Sequence, residues 1–290
     1  MKKILLRAQI LLFVFGSTIA QEQTPATEAG EDFDLYGVIG LFEESEDLED
    51  FEKKINSEDN DVNNLDLNKD EEVDIVKVVE YSEGNTHLLV LQAVIGDNDY
   101  QDVATIEIEK HSENEISLQV IGDPDIYGPD YIIEPAPEES SLRSYRPMAV
   151  FVSVHTWRPI GFVFRPGRVV FVSVVVFRPR PVWFRVRRPM GRSAWRGKSA
   201  RWHNPRCRTS KSRHSVSGRN MYSSKRKTSP KAKNNFGPNP SPGKSPTASP
   251  SNQKKKTTAT SPSNQKKKST ATSPKQQQKK GTTSPIKKKR

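Results

Sequence analysis

The stretch LDLNKDEEVD, running from Leu65 to Asp74, sets oxygen-bearing side chains at Asp66, Asn68, Asp70 and Asp74. These are the first, third, fifth and ninth places of a tight loop, the spacing that turns alternate residues onto one hard cation, and the chemistry it suggests is calcium coordination. Two places depart from the pattern. The sixth, where a sharp turn favours glycine, is Glu71, and the twelfth, where a bidentate Glu would close the shell, is Lys77. A complete EF-hand is therefore excluded. Two readings stay open: a calcium site of weak affinity, or an Asx-turn loop whose side chains cap the local backbone with no ion.

A second group of residues suits polyanions. Arg192 and the SAWRGKSARWHNPR that follows it interleave Trp195 and Trp202 with Arg192, Arg196, Arg201 and Arg206, a mixture that can clamp phosphates and stack on bases or sugars. Downstream, SPSNQKKKTTAT and SPSNQKKKSTAT repeat in tandem and carry Lys254, Lys255, Lys256, Lys266, Lys267 and Lys268. The five histidines, His87, His111, His155, His203 and His214, show no metal-site spacing, and no nucleophile elbow, phosphate loop or Cys-x-x-Cys motif occurs. The chain reads as no enzyme and as having no small-molecule substrate. Cys207 is the sole cysteine, which rules out an internal disulfide and leaves an exposed thiol or an intermolecular crosslink.

Charge divides sharply along the chain. All 35 Asp and Glu lie within 21–140 together with five Lys, a balance of −30, whereas 141–290 holds 38 Lys and Arg and no acid. Two opposed polyelectrolytes are joined in one molecule. Ahead of them, Lys2, Lys3 and Arg7 precede an apolar run from Ile10 to Phe15 and the small-residue site Thr18-Ile19-Ala20. That is the pattern of a signal peptide over 1–20, and it implies export to a periplasmic, outer-surface or extracellular location.

The elements that must position the acidic loop are legible in periodicity. Leu35, Val38, Leu41 and Phe42, then Leu48, Phe51 and Ile55, recur at three and four residues and predict two short helices broken near 44–46, with Ser45 as N-cap of the second. From Val73 the period becomes two. Runs at 73–81, 87–95, 103–110 and 116–121 predict an antiparallel meander; in the third, Ala104, Ile106 and Ile108 face the core and Thr105, Glu107 and Glu109 face water. The fold class is α+β: small N-terminal helices packed on an antiparallel β-meander, then short Arg-Pro-punctuated β-strands and a long disordered basic tail.

DLEDFEKKIN (47–56), NNLDLNKDEEVDIVKVVEYSEGNTHLLVLQAVIG (63–96) and QDVATIEIEK (101–110) resemble a family of uncharacterised exported bacterial proteins that carry an acidic Asp-x-Asn-x-Asp loop followed by a β-meander. The resemblance spans about 47–133. It implies a grouping and an acidic loop, and it implies no reaction.

The expected domains are a signal peptide at 1–20, a linker at 21–33, an acidic α+β domain at 34–133 that folds alone, a linker at 134–145, a basic Val and Arg-Pro β-rich segment at 146–188, and a disordered tail at 189–290. The near repeat AVFVSVHTWRP (149–159) and VVFVSVVVFRP (169–179) marks the basic strands, each closed by Arg-Pro because proline cannot donate to a ladder. The function these features imply is an exported binding, matrix or adhesion-type protein whose basic tail holds an anionic polymer or surface: polysaccharide, lipid headgroups or extracellular DNA. Alternatives are a scaffold that self-associates by acidic-basic pairing and a nucleic-acid-binding protein.

Overall fold

The structure is a computed structural model that describes residues 24–136 and 154–238. The signal-peptide pattern, the first part of the valine near repeat and the Lys repeats lie outside the described residues.

Helix α1 (Glu28–Glu31) leads into α2 (Leu35–Glu43) and α3 (Leu48–Ile55). Asp34 caps α2 by accepting from Gly37 N at 2.9 Å, and Asp47 caps α3 by accepting from Asp50 N at 2.9 Å. Ser45 is therefore not the N-cap expected of it. Its hydroxyl instead donates to Leu41 O at 2.5 Å and closes the end of α2, because Asp47 offers a carboxylate closer to the free N–H groups of the second helix.

Strands β1 (Val76–Glu83), β2 (Thr86–Gly96), β3 (Asp99–Lys110) and β4 (Ile116–Gly122) form the predicted meander. Beyond them come α4 (Pro124–Tyr127), β5 (Ile132–Pro135), α5 (Arg158–Val163), α6 (Arg192–Ser199), β6 (Cys207–Ser210), α7 (Val216–Lys225) and α8 (Pro230–Lys233). The sheet has six strands in sequence order, and every neighbouring pair is antiparallel. The molecule is α+β, with N-terminal helices ahead of the sheet.

The main core lies between the helices and one sheet face. Val38, Leu41, Phe42, Leu48, Phe51 and Ile55 meet Val78, Leu89, Leu91, Ile106, Ile108 and Val120, and Ile160 and Phe236 of the basic half join the same cluster. The opposite face differs from the wet face that alternation predicts. Thr105 and Glu107 are buried, Tyr222 of α7 packs on Leu88 and Val90, and Val175 and Phe184 pack on Ile75 and Val94. Alternation marks which side chains share a face; it does not reveal that a later, basic segment covers the polar one.

Two expectations for the basic half change accordingly. Arg158-Pro159 opens α5 rather than ending a strand, since proline near the first helical position is pre-set for helix and its missing N–H is no loss there. The run at 169–176 meets the sheet in a single isolated bridge, Val172 to Val79. Side chains take the hydrogen bonds a ladder would use: Phe171 N donates to Glu80 Oε2 at 2.8 Å, and Val175 N donates to Ser173 Oγ at 3.1 Å. Within the segment expected to be disordered, 189–238 carries α6, β6, α7 and α8, and β6 extends the sheet through Ile132–Ser210 and Ile133–Thr209 pairing. Few apolar groups suffice there because carboxylates of the acidic half compensate the cations. Residues 239–290 lie outside the described residues.

Candidate polyanion interface and acidic loop

The acidic loop sits between the helices and β1. Asp70 N donates to both Asp66 Oδ1 (3.1 Å) and Asn68 Oδ1 (3.0 Å), and Glu72 N donates to Asp70 Oδ1 (3.0 Å). Glu71, at the sixth place, adopts φ 65° and Lys69 φ 59°, so the sharp turn forms without glycine. These three side chains are brought together. Asp74 is buried, and its Oδ2 accepts from Leu67 N at 2.5 Å, whereas Asp70 is exposed. Burial first, then the charges of Asp66 and Asp70, push the Asp74 carboxyl up to about 8. Among the described residues no three His, Cys, Asp or Glu side chains gather into a metal-holding group. Asx turns close the loop, with the Oδ1 atoms of Asp66, Asn68 and Asp70 each accepting from a backbone N–H.

The Arg and Trp residues expected to meet a polyanion instead fasten the basic half to the acidic half. Arg192 pairs with Glu28. Trp195 is only 1% exposed and donates from Nε1 to Glu31 O at 2.8 Å, while Arg196 grips both Glu31 oxygens at 2.6 and 2.7 Å. Arg201 donates to Asp59 O at 2.8 Å, and Trp202 donates to Asn60 O at 2.8 Å. The Trp202 indole packs against α2, where Gly37 and Gly40 leave room; a Cβ at Gly40 would stand 2.5 Å from Cζ3 of that ring. Glycines three apart on one helix face were the sequence signal for this contact. Lys254–Lys256 and Lys266–Lys268 lie outside the described residues.

The same pairing recurs on both faces of the sheet. Glu80 receives Arg168 and His87, Glu107 receives Arg213, Glu134 receives Arg208 at 2.8 Å, and Asp123 receives both Nε (2.6 Å) and Nη2 (2.7 Å) of Arg226. Against the desolvation that would raise it, hydrogen bonds from His87, Arg168 and Phe171 N hold Glu80 down to about 2. The Arg226 guanidinium is pushed up by its bonds to Asp123. Within 24–136 and 154–238, 27 Lys and Arg stand against 32 Asp and Glu, a balance of −5. The −30 of the acidic segment is thus largely cancelled inside the fold.

A cavity of about 480 Å³ opens where α6 meets the start of α2, and Asp34, Tyr36, Arg196 and His203 line it. His203 Nε2 lies 2.9 Å from Asp34 Oδ2, and its ring stacks on Tyr36 at 4.4 Å. Both charged pairs at its rim, Asp34–His203 and Glu31–Arg196, are spent on joining the halves. Cys207 is half-buried, and burial pushes its thiol up to about 12, which makes it a poor nucleophile.

A scan against models of known protein families, a search of curated proteins and a search of solved structures each found no match.

Proposed function

We propose that this chain is an exported, non-enzymatic binding protein in which a nearly self-neutralised folded body carries a cationic tail, and that the tail holds the body to anionic polymers or surfaces. The observation that carries this reading is the distribution of paired charge. Arginines of 158–226 are largely committed to carboxylates of the acidic half, so the body balances at −5, while 239–290 has fourteen Lys and Arg and no acid. Positive charge in excess of acid therefore concentrates in the tail sequence. The basic N-terminal head with its apolar run supports the export part of the reading. This reading does not require calcium at the loop.

The test is salt-dependent binding to DNA and to heparin by the chain from Gln21, with and without 249–290. Binding should weaken linearly with salt on a log-log plot, and deletion should lower both affinity and slope. Equal binding by the truncated chain would show that the tail is a spacer.

A further inference from the structure

Among the described residues, eight large apolar side chains are exposed, and seven of them, Val169, Val170, Val172, Val174, Val176, Val182 and Val186, fall within one eighteen-residue stretch. Exposure alternates from 170 to 177. Val170, Val172, Val174 and Val176 point outward, while Phe171, Ser173, Val175 and Phe177 are half-buried or buried, the two-residue period of an extended chain. The inward residues explain why the stretch stays on the body: Val175 and Phe184 are anchored on Ile75 and Val94, with Phe177 and Trp183 packed against them. The outward valines have no such role. Val174 is 76% exposed and Val182 fully so.

The cations of the stretch divide in the same way. Arg168 and Arg180 turn toward the body and pair with Glu80 and Glu72, whereas Arg165, Arg178 and Arg185 are exposed. No acid occurs anywhere in 141–290. The outer surface of 165–186 is therefore a row of β-branched apolar groups interspersed with exposed guanidinium groups, of which Arg185 shares a cleft with Glu58 and Asp59.

We propose that this valine and arginine ribbon is a docking surface for an anionic lipid bilayer. A bilayer surface supplies both halves of the complement: acyl-chain boundary for the valines and headgroup phosphate for the arginines, which bind phosphate bidentately. A polysaccharide or DNA supplies charge with no apolar depth, and the valines would stay wet. A second copy of the chain supplies apolar surface at the cost of charge. Self-pairing of the ribbon would bring the exposed guanidinium groups of two copies together with no acid of 141–290 among them, and like charges keep strand edges apart. The proposal adds a second contact to the tail-mediated reading and does not depend on it. Long-range attraction belongs to the tail, and apolar insertion to the ribbon.

The experiment uses the chain from Gln21, vesicles of phosphatidylcholine with and without phosphatidylglycerol, and DNA as a polyanion that has no apolar phase. The variant is Val169→Ser, Val174→Ser and Val182→Ser together; all three side chains are exposed, so the melting temperature should not move, and a circular dichroism melt checks this. Partition onto phosphatidylglycerol vesicles should fall roughly 100-fold while DNA affinity stays unchanged, since three apolar insertions are lost and no charge is altered. Deleting 249–290 should weaken both ligands. Within that shorter chain the valine substitutions should still cut vesicle binding, so failure of the tail reading and failure of this one show up in different arms. An unchanged vesicle partition in the serine variant would overturn the proposal. So would sedimentation equilibrium in which the unsubstituted chain dimerises, the variant does not, and vesicle binding is equal; the ribbon would then be a contact between copies.

Discussion

Replacing Arg226 by Met tests whether the basic half is what makes the acidic half foldable. Asp123 is 0% exposed, and its carboxylate accepts from Asp125 N (3.0 Å), from Tyr222 Oη (2.6 Å) and from the Arg226 guanidinium twice. Methionine keeps most of the aliphatic stem and removes the charge, leaving a buried carboxylate with two neutral donors. Breaking a buried pair from one side costs about 3–5 kcal/mol. The Arg226 side chain is 27% exposed, so water can replace part of what is lost, and the low end, about 3 kcal/mol, is expected. For a body of this size that is a fall in Tm of ~6–12 °C. A thermal melt followed by circular dichroism at neutral pH reads it directly. Adding Asp123→Asn to the Met variant should recover part of the loss, because a neutral amide needs no counter-charge. High salt should leave the difference in place, as buried pairs are poorly screened. Lys53→Met removes an exposed pair with Glu49 and should leave Tm unchanged within error. A fall below ~3 °C for Arg226→Met would mean that Asp123 does not need its guanidinium, and would break the argument that charge pairing joins the halves.

Stability should decline as pH rises from about 4 to 8: Asp74, held at about 8, and Asp102, held at about 6 by burial, keep protons in the folded state that the unfolded chain releases near 3.8. Glu80 acts in the other direction: the stability it contributes is present above about 4.5 and is lost as pH falls toward its folded value of about 2. Tm should therefore peak near pH 4–5, and Asp74→Asn should flatten the alkaline side; a Tm equal at pH 5 and pH 8 would refute this. Calcium at millimolar concentration should leave Tm unchanged in the chain with or without Asp66→Asn and Asp70→Asn, and a rise that those changes abolish would restore the ion to the loop. Gly40→Val should destabilise strongly by driving Trp202 off α2, with a red shift of tryptophan emission as the readout. A fragment of 24–140 should melt without a cooperative transition; sharp two-state melting would mean that the covering helices and β6 are dispensable.

The helices and first four strands were readable because their residues obey local periods. Leu35 to Phe42 repeat at three and four, and Ala104, Ile106 and Ile108 at two, and each period is set by backbone geometry alone. Strand β6 was not readable. CRTS has no apolar alternation, and it becomes a strand because Ile132 and Ile133 present a free edge opposite it. The acidic loop was half readable: spacing located the Asx turns at Asp66, Asn68 and Asp70, but the burial of Asp74 depends on Leu65 and Leu67 being drawn into the core. The internal partners of the Arg and Trp segment were unreadable for a reason of the same kind. Composition shows that Arg196 and Trp202 can bind anions and rings, and only the fold shows that Glu31 and α2 are what they reach. Charge segregated along the chain turns out to be charge complementary in space.

The last strand of the sheet also fixes when the body can form. β5 ends at Pro135 and its partner β6 begins at Cys207, so the edge between them closes only after the intervening chain exists, and Phe236 must follow before the core is complete. A ribosome adds residues in order, and a nascent chain that has reached only the meander holds its carboxylates at Glu107 and Asp123 without their guanidinium partners. Those ionised groups oppose collapse of the second face until synthesis has passed Arg226. The long-range pairing thus sets an order: the carboxylates are made first, and the cations that neutralise them arrive only as synthesis proceeds from Arg158 to Arg226.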